Sequence, residues 1–238
     1  MTRPPIVLLH GANSAAAEME PLAEVLRAYG VVHAPNLIGH GGRDIPADIT
    51  IADMAVDVVG WMGRQGLARA VIVGYSLGAT LALYLARHHA RHVIGACGLA
   101  PKYVFDAQTV QHWIHLVQPE RLGRAGNPRT AQLVRAHAPR DWVAVAEANR
   151  RHFEALGRSP PLSDDDLRAI DVPTLLVSSD RDPVVPWKEV LALGKLVPGA
   201  RVAMFYGAAH PLTVVPVLAV ARVIGPWIRE VAAPEPGA

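Results

Sequence analysis

The clearest chemical potential in this sequence lies in Gly74-Tyr75-Ser76-Leu77-Gly78, which has the pattern Gly-x-Ser-x-Gly. The pattern follows a short apolar run, 71–73, and opens a segment with the residue spacing of a helix. In that context it is typical of a sharp strand-to-helix turn that presents a nucleophilic serine. The adjacent helix N-terminus would favour the negative charge that develops during acyl transfer. The alternative is an ordinary tight turn with an incidental serine.

A serine hydroxyl becomes a good nucleophile only when a base accepts its proton. Of the 11 histidines, His210 in Gly207-Ala208-Ala209-His210-Pro211 fits this role best, because it follows the last predicted strand. Parallel sheets build their sites at the carboxyl ends of their strands. A carboxylate would in turn orient the histidine. Asp180 and Asp182 both follow the fifth predicted strand, and either could instead be a turn residue.

Acyl transfer also needs two hydrogen-bond donors directed at the developing oxyanion, and backbone N–H groups serve without reorganisation. Leu77 N–H follows the candidate nucleophile directly. The second donor is expected from the loop after the first predicted strand, 10–13, with Ala12 N–H as first choice and Asn13 as second.

The elements that must hold these residues alternate between strand and helix. Strands buried on both faces read as short continuous apolar runs, and such runs separated by helical spacing indicate βαβ units. The sequence therefore predicts an α/β fold with a mostly parallel, doubly wound sheet of about six strands and flanking helices. The predicted strands are 5–9, 31–34, 70–73, 93–99, 174–177 and 202–205, and the final helix is predicted at 215–231.

Residues 102–165 break this alternation, since prolines interrupt them and no β-branched run is long enough for a strand. We expect a helical cap here, inserted into a core formed by 1–101 and 166–238. Its aromatic residues Tyr103, Trp113 and Trp142 are candidates for contacting a substrate, as are Asn13 and Tyr75 beside the serine. The alternative is that the cap aromatics only pack the cap against the core.

Composition excludes several classes of function. The 238 residues are 51% hydrophobic and carry a net charge of only +2 with scattered arginines, unlike the clustered basic face of a nucleic-acid binder. One cysteine, Cys97, excludes an internal disulfide and is expected to be a buried thiol in a reducing compartment. No apolar segment approaches the ~18 residues of a membrane span. The first apolar stretch is too short for a signal peptide. We therefore expect a cytoplasmic protein that binds a small molecule and neither nucleic acid, membrane nor metal.

Five segments of the sequence resemble the α/β-hydrolase superfamily, and together they span nearly the whole chain. The resemblance implies that Ser76, Asp182 and His210 form a catalytic triad, that the insertion is a cap, and that no cofactor is needed. The sequence departs from the family pattern in two places. The first two strands of the family fold are expected to be missing, and Pro35-Asn36 replaces the usual Pro-Asp at a structural position. The segments are Leu8–Gly11, Ala34–Gly41, Gly74–Gly78, Asp180–Pro186 and Gly207–Pro211.

The implied reaction is cleavage of an ester, lactone or thioester of a small, largely apolar substrate through an acyl-enzyme on Ser76. The same residues could serve a carbon–carbon bond hydrolase, a hydroxynitrile lyase or a cofactor-free haloperoxidase, because fold does not fix reaction. A small-molecule receptor with slow turnover is a further alternative. Dehalogenases and epoxide hydrolases are disfavoured, since they require aspartate in place of Ser76. Arg121, Arg124 and Arg129 could bind an acidic group or form a solvated face.

Overall fold

A six-stranded parallel sheet forms the centre of the protein. The computed structural model describes residues 3–210 and 215–233. All five strand pairings are parallel, and the spatial order is β2-β1-β3-β4-β5-β6. This confirms the predicted α/β class and the sheet of about six strands. The strands are β1 Pro5–Leu9, β2 Val31–His33, β3 Ala70–Tyr75, β4 Val93–Leu99, β5 Thr174–Ser179 and β6 Arg201–Phe205.

Helices cover both faces of the sheet. Helix α1 packs on α10 on one face, while α2, α3, α8 and α9 contact one another in series on the other. Strand β4 contacts helices on both faces of the sheet. Its Gly95 lies against Trp227 of α10, and its Gly98 lies near Ala79 of α3. The helices are α1 Glu20–Leu26, α2 Ile51–Arg64, α3 Leu77–His88, α4 Ala107–Val117, α5 Pro119–Leu122, α6 Pro128–His137, α7 Trp142–Arg158, α8 Asp164–Arg168, α9 Trp187–Leu196 and α10 Val217–Val231.

The apolar runs of the central strands are explained by this double coverage. Every residue of β3 is buried, and so are residues 6–9 of β1. Strand β6 lies at the edge of the sheet, and its Met204 side chain remains largely exposed. The sheet order reverses between β1 and β3, which lie side by side although β2 intervenes in the chain. In open parallel sheets, the crevice at such a reversal is where ligands bind.

Helices α4 to α7 occupy the segment between β4 and β5 in which we expected an insertion. Helix α7 is the centre of this group, because α4, α5 and α6 all pack against it. Phe105, Trp113 and Phe153 form an edge-to-face aromatic stack, with ring centroids 5.7 and 5.2 Å apart. Each edge-to-face pair stabilises the fold by roughly 0.5–1.5 kcal/mol beyond the stabilisation that comes from burying the rings.

The last helix begins at Val217 and not at the predicted residue 215, because Pro216 takes the position before its first turn. Pro211 of the last family-like segment and the tail 234–238 lie outside the described residues. Within the described part of the chain, no helix is both long and apolar enough to cross a membrane.

Candidate active site

The Gly-x-Ser-x-Gly segment forms a sharp turn between β3 and α3. Ser76 has φ 53° and ψ −116°, a conformation that residues with a side chain rarely adopt. A Cβ at Gly74 would lie 1.9 Å from the Gly78 carbonyl oxygen, and a Cβ at Gly78 would lie 2.2 Å from that of Leu9. Both positions must therefore be glycine. The turn presents the Ser76 side chain at the crevice where the sheet order reverses.

A continuous hydrogen-bond chain links the serine to a buried carboxylate. Ser76 Oγ lies 3.0 Å from His210 Nε2, and His210 Nδ1 lies 2.7 Å from Asp182 Oδ2. The other carboxylate oxygen of Asp182 accepts bonds from the N–H groups of Val184 and Val185, at 2.8 and 2.9 Å. The Asp182 side chain is only 4% exposed. It is therefore fixed with one oxygen directed at the imidazole.

Asp180, the rival carboxylate, has a different position. Its Oδ1 accepts a hydrogen bond of 2.6 Å from Gly207 N–H, which joins the loop after β5 to the loop after β6. Its other oxygen lies 3.8 Å from the exposed Arg181 guanidinium. Asp180 thus takes the turn-stabilising role that was the alternative reading of both aspartates, and Asp182 contacts His210.

The two candidate oxyanion donors flank the serine. Leu77 is the first residue of α3, so its N–H points out of the helix end. Ala12 follows Gly11, where an added Cβ would lie 3.3 Å from Ser76 Cβ. Across residues 3–210 and 215–233, neither the Ala12 nor the Leu77 N–H has a hydrogen-bond acceptor. Free N–H groups close to a nucleophilic serine are what an oxyanion requires.

A cavity of about 630 Å³ opens beside Ser76 and His210. This volume is ordinary for a site that holds a small organic ligand. Its wall is formed mainly by apolar side chains from α4, α5 and α7, from the loop before α4 and from the loop after β5. These include Phe105, Trp113, Leu116, Val117, Leu122, Phe153, Leu156, Val184 and Val185.

Lys102 and Arg129 line the same cavity, and each forms an ion pair that sequence reasoning missed. Lys102 Nζ bonds Glu189 Oε2, with both side chains at least 92% buried. Arg129 NH1 bonds Glu18 Oε2 at 2.9 Å. The partners are 87 and 111 residues apart in the chain, so no local pattern could reveal them. The positive charge of each cation is therefore matched by a carboxylate.

The structure brings three of the five predicted substrate-contacting residues to the cavity, namely Asn13, Tyr75 and Trp113. Tyr103 and Trp142 do not line it. The Tyr103 backbone is tied to Glu189 by its N–H, and Trp142, at the start of α7, lies against Gly123. Hydrophobicity marked these two side chains for burial, but it could not indicate which helix surface faces the cavity.

Of the three arginines that could have bound an acidic group, Arg129 lines the cavity. Arg121 and Arg124 are not among the lining residues, and Arg124 is exposed. The solvated-face alternative therefore describes Arg124, while Arg129 is engaged with Glu18.

Three neutral histidines support the loops around the site. His10 Nε2 accepts a bond from Leu37 N–H, and His137 Nδ1 accepts one from Gly41 N–H. Burial lowers the pKa of His10 and of His137 to about 4 and that of His40 to about 3. A protonated ring could not accept these bonds, so hydrogen bonding and desolvation both favour the uncharged form.

Cys97 is fully buried, as expected, and burial raises the pKa of its thiol. The sequence prediction of a structural thiol is therefore confirmed. In the described ranges, no group of three or more His, Cys, Asp or Glu side chains is arranged to hold a metal ion.

Comparison with known proteins agrees with this geometry. The model of the alpha/beta hydrolase family matches residues 6–223. The chain is 26% identical to a pyrethroid hydrolase of Sphingobium wenxiniae, over 88% of this chain and 82% of that protein. It is 28% identical to a putative carbamate hydrolase, RutD, of Yersinia enterocolitica, over 86% and 84%. Among solved structures, a thermophilic esterase from Thermogutta terrifontis superposes with a TM-score of 0.79 at 23% identity, over 98% of this chain and 92% of that one.

Proposed function

Because the chain belongs to the alpha/beta hydrolase family, we propose that it is a serine hydrolase that cleaves an ester-type bond. The observation that carries this proposal is the hydrogen-bond chain from Ser76 through His210 to Asp182. A carboxylic ester, a lactone and a thioester all meet the same chemical requirement. The names of the two sequence relatives, a pyrethroid hydrolase and a putative carbamate hydrolase, support hydrolysis as the class of reaction.

In the proposed reaction, Ser76 Oγ attacks the substrate carbonyl carbon while His210 Nε2 accepts the hydroxyl proton. The Asp182 carboxylate accepts a hydrogen bond from His210 Nδ1–H and stabilises the imidazolium that forms. The carbonyl oxygen becomes an oxyanion held by the N–H groups of Ala12 and Leu77. His210 then gives its proton to the leaving alcohol or thiol. Water, deprotonated by His210, attacks the acyl-enzyme and releases a carboxylic acid and free Ser76.

The substrate that fits this cavity is neutral and largely apolar. Its walls are mostly hydrocarbon, and the cations Lys102 and Arg129 are each bonded to a carboxylate. A substrate carboxylate would lose its hydration beside two cations whose charges Glu18 and Glu189 already neutralise. In this proposal, residues 102–165 act as a cap that selects the substrate, since α4 and its neighbours supply much of the wall. The proposal includes a cytoplasmic location, which the lone buried Cys97 supports.

The test of the nucleophile is intact-protein mass spectrometry after treatment with a broad fluorophosphonate. We expect one adduct on the wild type, none on Ser76→Ala, and one on the matched control Ser159→Ala, whose serine is exposed at the end of α7. An adduct that survives in Ser76→Ala, or a folded wild type that forms none, would overturn the proposal.

Substrate charge is tested with a dimethyl dicarboxylate and its monomethyl counterpart, which carries one free carboxylate. The wild type should prefer the diester. Glu18→Gln leaves Arg129 without its carboxylate partner, so kcat/KM for the charged ester should rise relative to the diester by about tenfold. Glu24→Gln, at an exposed position of α1, is the control and should leave the ratio unchanged. Equal ratios in wild type and Glu18→Gln would contradict the role given to the ion pair.

A further inference from the structure

The loop after β1, residues 10–14, contains a residue in an unusual backbone conformation. Asn13 has φ 50°, in the left-handed region that asparagine tolerates better than most residues with side chains. It directly follows Ala12, whose N–H is a proposed oxyanion donor. That N–H lies in the peptide plane joining Gly11 to Ala12, so its direction depends on how the chain is held on both sides of this plane, at Gly11 and at Asn13. Contacts that hold Asn13 therefore also hold the donor.

Asn149 of α7 and Arg129 of α6 hold Asn13 by hydrogen bonds. Asn149 Nδ2, from α7, donates to Asn13 Oδ1 at 2.8 Å. Arg129 NH2, from α6, donates to the Asn13 carbonyl oxygen at 2.7 Å, while its NH1 bonds Glu18. The two helices thus bind both the side chain and the backbone of a residue more than 100 positions earlier.

Asn149 is itself held in one orientation. It is 2% exposed, and its amide nitrogen also lies 3.1 Å from the Val145 carbonyl oxygen one turn earlier in α7. A further contact of 3.1 Å reaches His40 Nε2, in the loop after β2. On the other side of the loop, His10 Nδ1 donates to the Gly11 carbonyl oxygen at 2.8 Å. The loop is therefore fixed by the core on one side and by the inserted helices on the other.

We infer that Asn149 and Arg129 are positioning residues that complete the oxyanion hole when α6 and α7 are docked on the core. This inference rests on the proposed function, because it assumes that Ala12 N–H receives the oxyanion. It assigns the inserted helices a second task beyond lining the cavity: docking them sets the geometry of a donor that lies outside them. Displacement of these helices would leave Ser76 and His210 in place and misdirect the Ala12 N–H.

The test compares steady-state kinetics of Asn149→Leu and Arg129→Met with those of a control on the same helix. His152 also ties α7 to the core, through a bond of 2.7 Å from Nδ1 to the Ile49 carbonyl oxygen. Within residues 3–210 and 215–233 it makes no hydrogen bond to residues 10–14. His152→Leu removes this donor, as Asn149→Leu removes the amide, so it weakens helix docking and spares the loop. Thermal unfolding of each variant shows how far docking is weakened.

For Asn149→Leu we expect kcat to fall about 10- to 100-fold, as for a catalytic group misplaced by about 1 Å, with KM within about twofold of the wild type. A boronic acid that mimics the tetrahedral intermediate should lose affinity by the same factor. His152→Leu should keep kcat, and Arg129→Lys should restore part of the activity lost in Arg129→Met. If Asn149→Leu folds, a substitution at Asn13 should lower kcat by a smaller factor in that variant than in the wild type, because the two residues are coupled.

Two outcomes would overturn the inference. One is an Asn149→Leu variant with kcat within about twofold of the wild type; the other is an equal loss of kcat in His152→Leu at equal thermal stability. If Asn149→Leu fails to fold, Arg129→Met, at a partly exposed position, decides by the same criteria. Activity that survives in Ser76→Ala would instead contradict the proposed function, so the two failures are distinguishable.

Discussion

Mild acid should destabilise the protein through three buried histidines, His10, His40 and His137. Their pKa values in the folded chain are about 4, 3 and 4. In the unfolded chain, histidine ionises near pH 6.5, so below that pH the unfolded state binds protons that the folded state excludes. The stability that the neutral rings contribute is therefore present above pH 6.5 and is lost as the pH falls from 6.5 towards 4.

The size of the effect follows from these values. Between about pH 7.5 and 5.5, each excluded proton removes about 1.4 kcal/mol from the free energy of unfolding. The amount is the same for all three histidines, because each folded-state pKa lies well below 5.5. The cluster should therefore cost roughly 4 kcal/mol over this interval, a large share of the ~5–15 kcal/mol that stabilises a typical domain.

Urea unfolding of wild type and His137→Gln at both pH values measures this contribution. Glutamine can still accept the bond from Gly41 N–H, and it does not ionise. The pH-dependent loss of stability should be about 1.4 kcal/mol smaller in His137→Gln than in the wild type. His112→Gln removes an exposed histidine of α4 and controls for histidine number. Carboxylates titrate alike in all three proteins and cancel, so an equal loss in wild type and His137→Gln would refute the reasoning.

Two further pairs of variants test the site. Asp182→Asn should lower kcat by roughly 10³- to 10⁴-fold, because an amide favours the wrong imidazole tautomer. Asp180→Asn should lower thermal stability and change kcat far less. Similar kinetics in the two variants would contradict the assignment of Asp182 as the carboxylate that orients His210. Gly78→Ala should abolish folding or activity, since its Cβ would overlap a backbone carbonyl. The open position Gly63 tolerates alanine and should gain up to about 1 kcal/mol in unfolding free energy.

The parts of the fold predicted correctly from sequence are those with local causes. Strand β3 reads as a strand because both of its faces are covered, and the Gly-x-Ser-x-Gly turn is specified by five consecutive residues. Ser76, His210 and the pair Asp180 and Asp182 could be located because each follows a strand, and parallel strands bring such loops together. The choice of Asp182 over Asp180 came from the family resemblance.

Features that depend on how the inserted helices pack could not be predicted in the same way. Trp142 and Trp113 have the same hydrophobicity, yet only Trp113 reaches the cavity. The bond between Asn149 and Asn13 joins residues 136 positions apart, and no periodicity in either segment indicates it. Contacts between side chains so far apart in the sequence depend on how the helices pack, and a local sequence pattern does not indicate them.

The pairing of charges along the cavity has a consequence for the end of the proposed reaction cycle. Hydrolysis converts a neutral ester into a carboxylate. The reaction therefore places a negative charge on a molecule that is surrounded by a mostly hydrocarbon wall. Within the described part of the chain, both cations that line the cavity are already bonded to Glu18 and Glu189. The carboxylate product therefore has no free counter-ion in the cavity that bound the neutral ester. Its charge is solvated better by water outside the cavity. In the proposed cycle, ester cleavage therefore favours release of its own product, and the free acid should be a poor inhibitor at concentrations where the ester saturates the site.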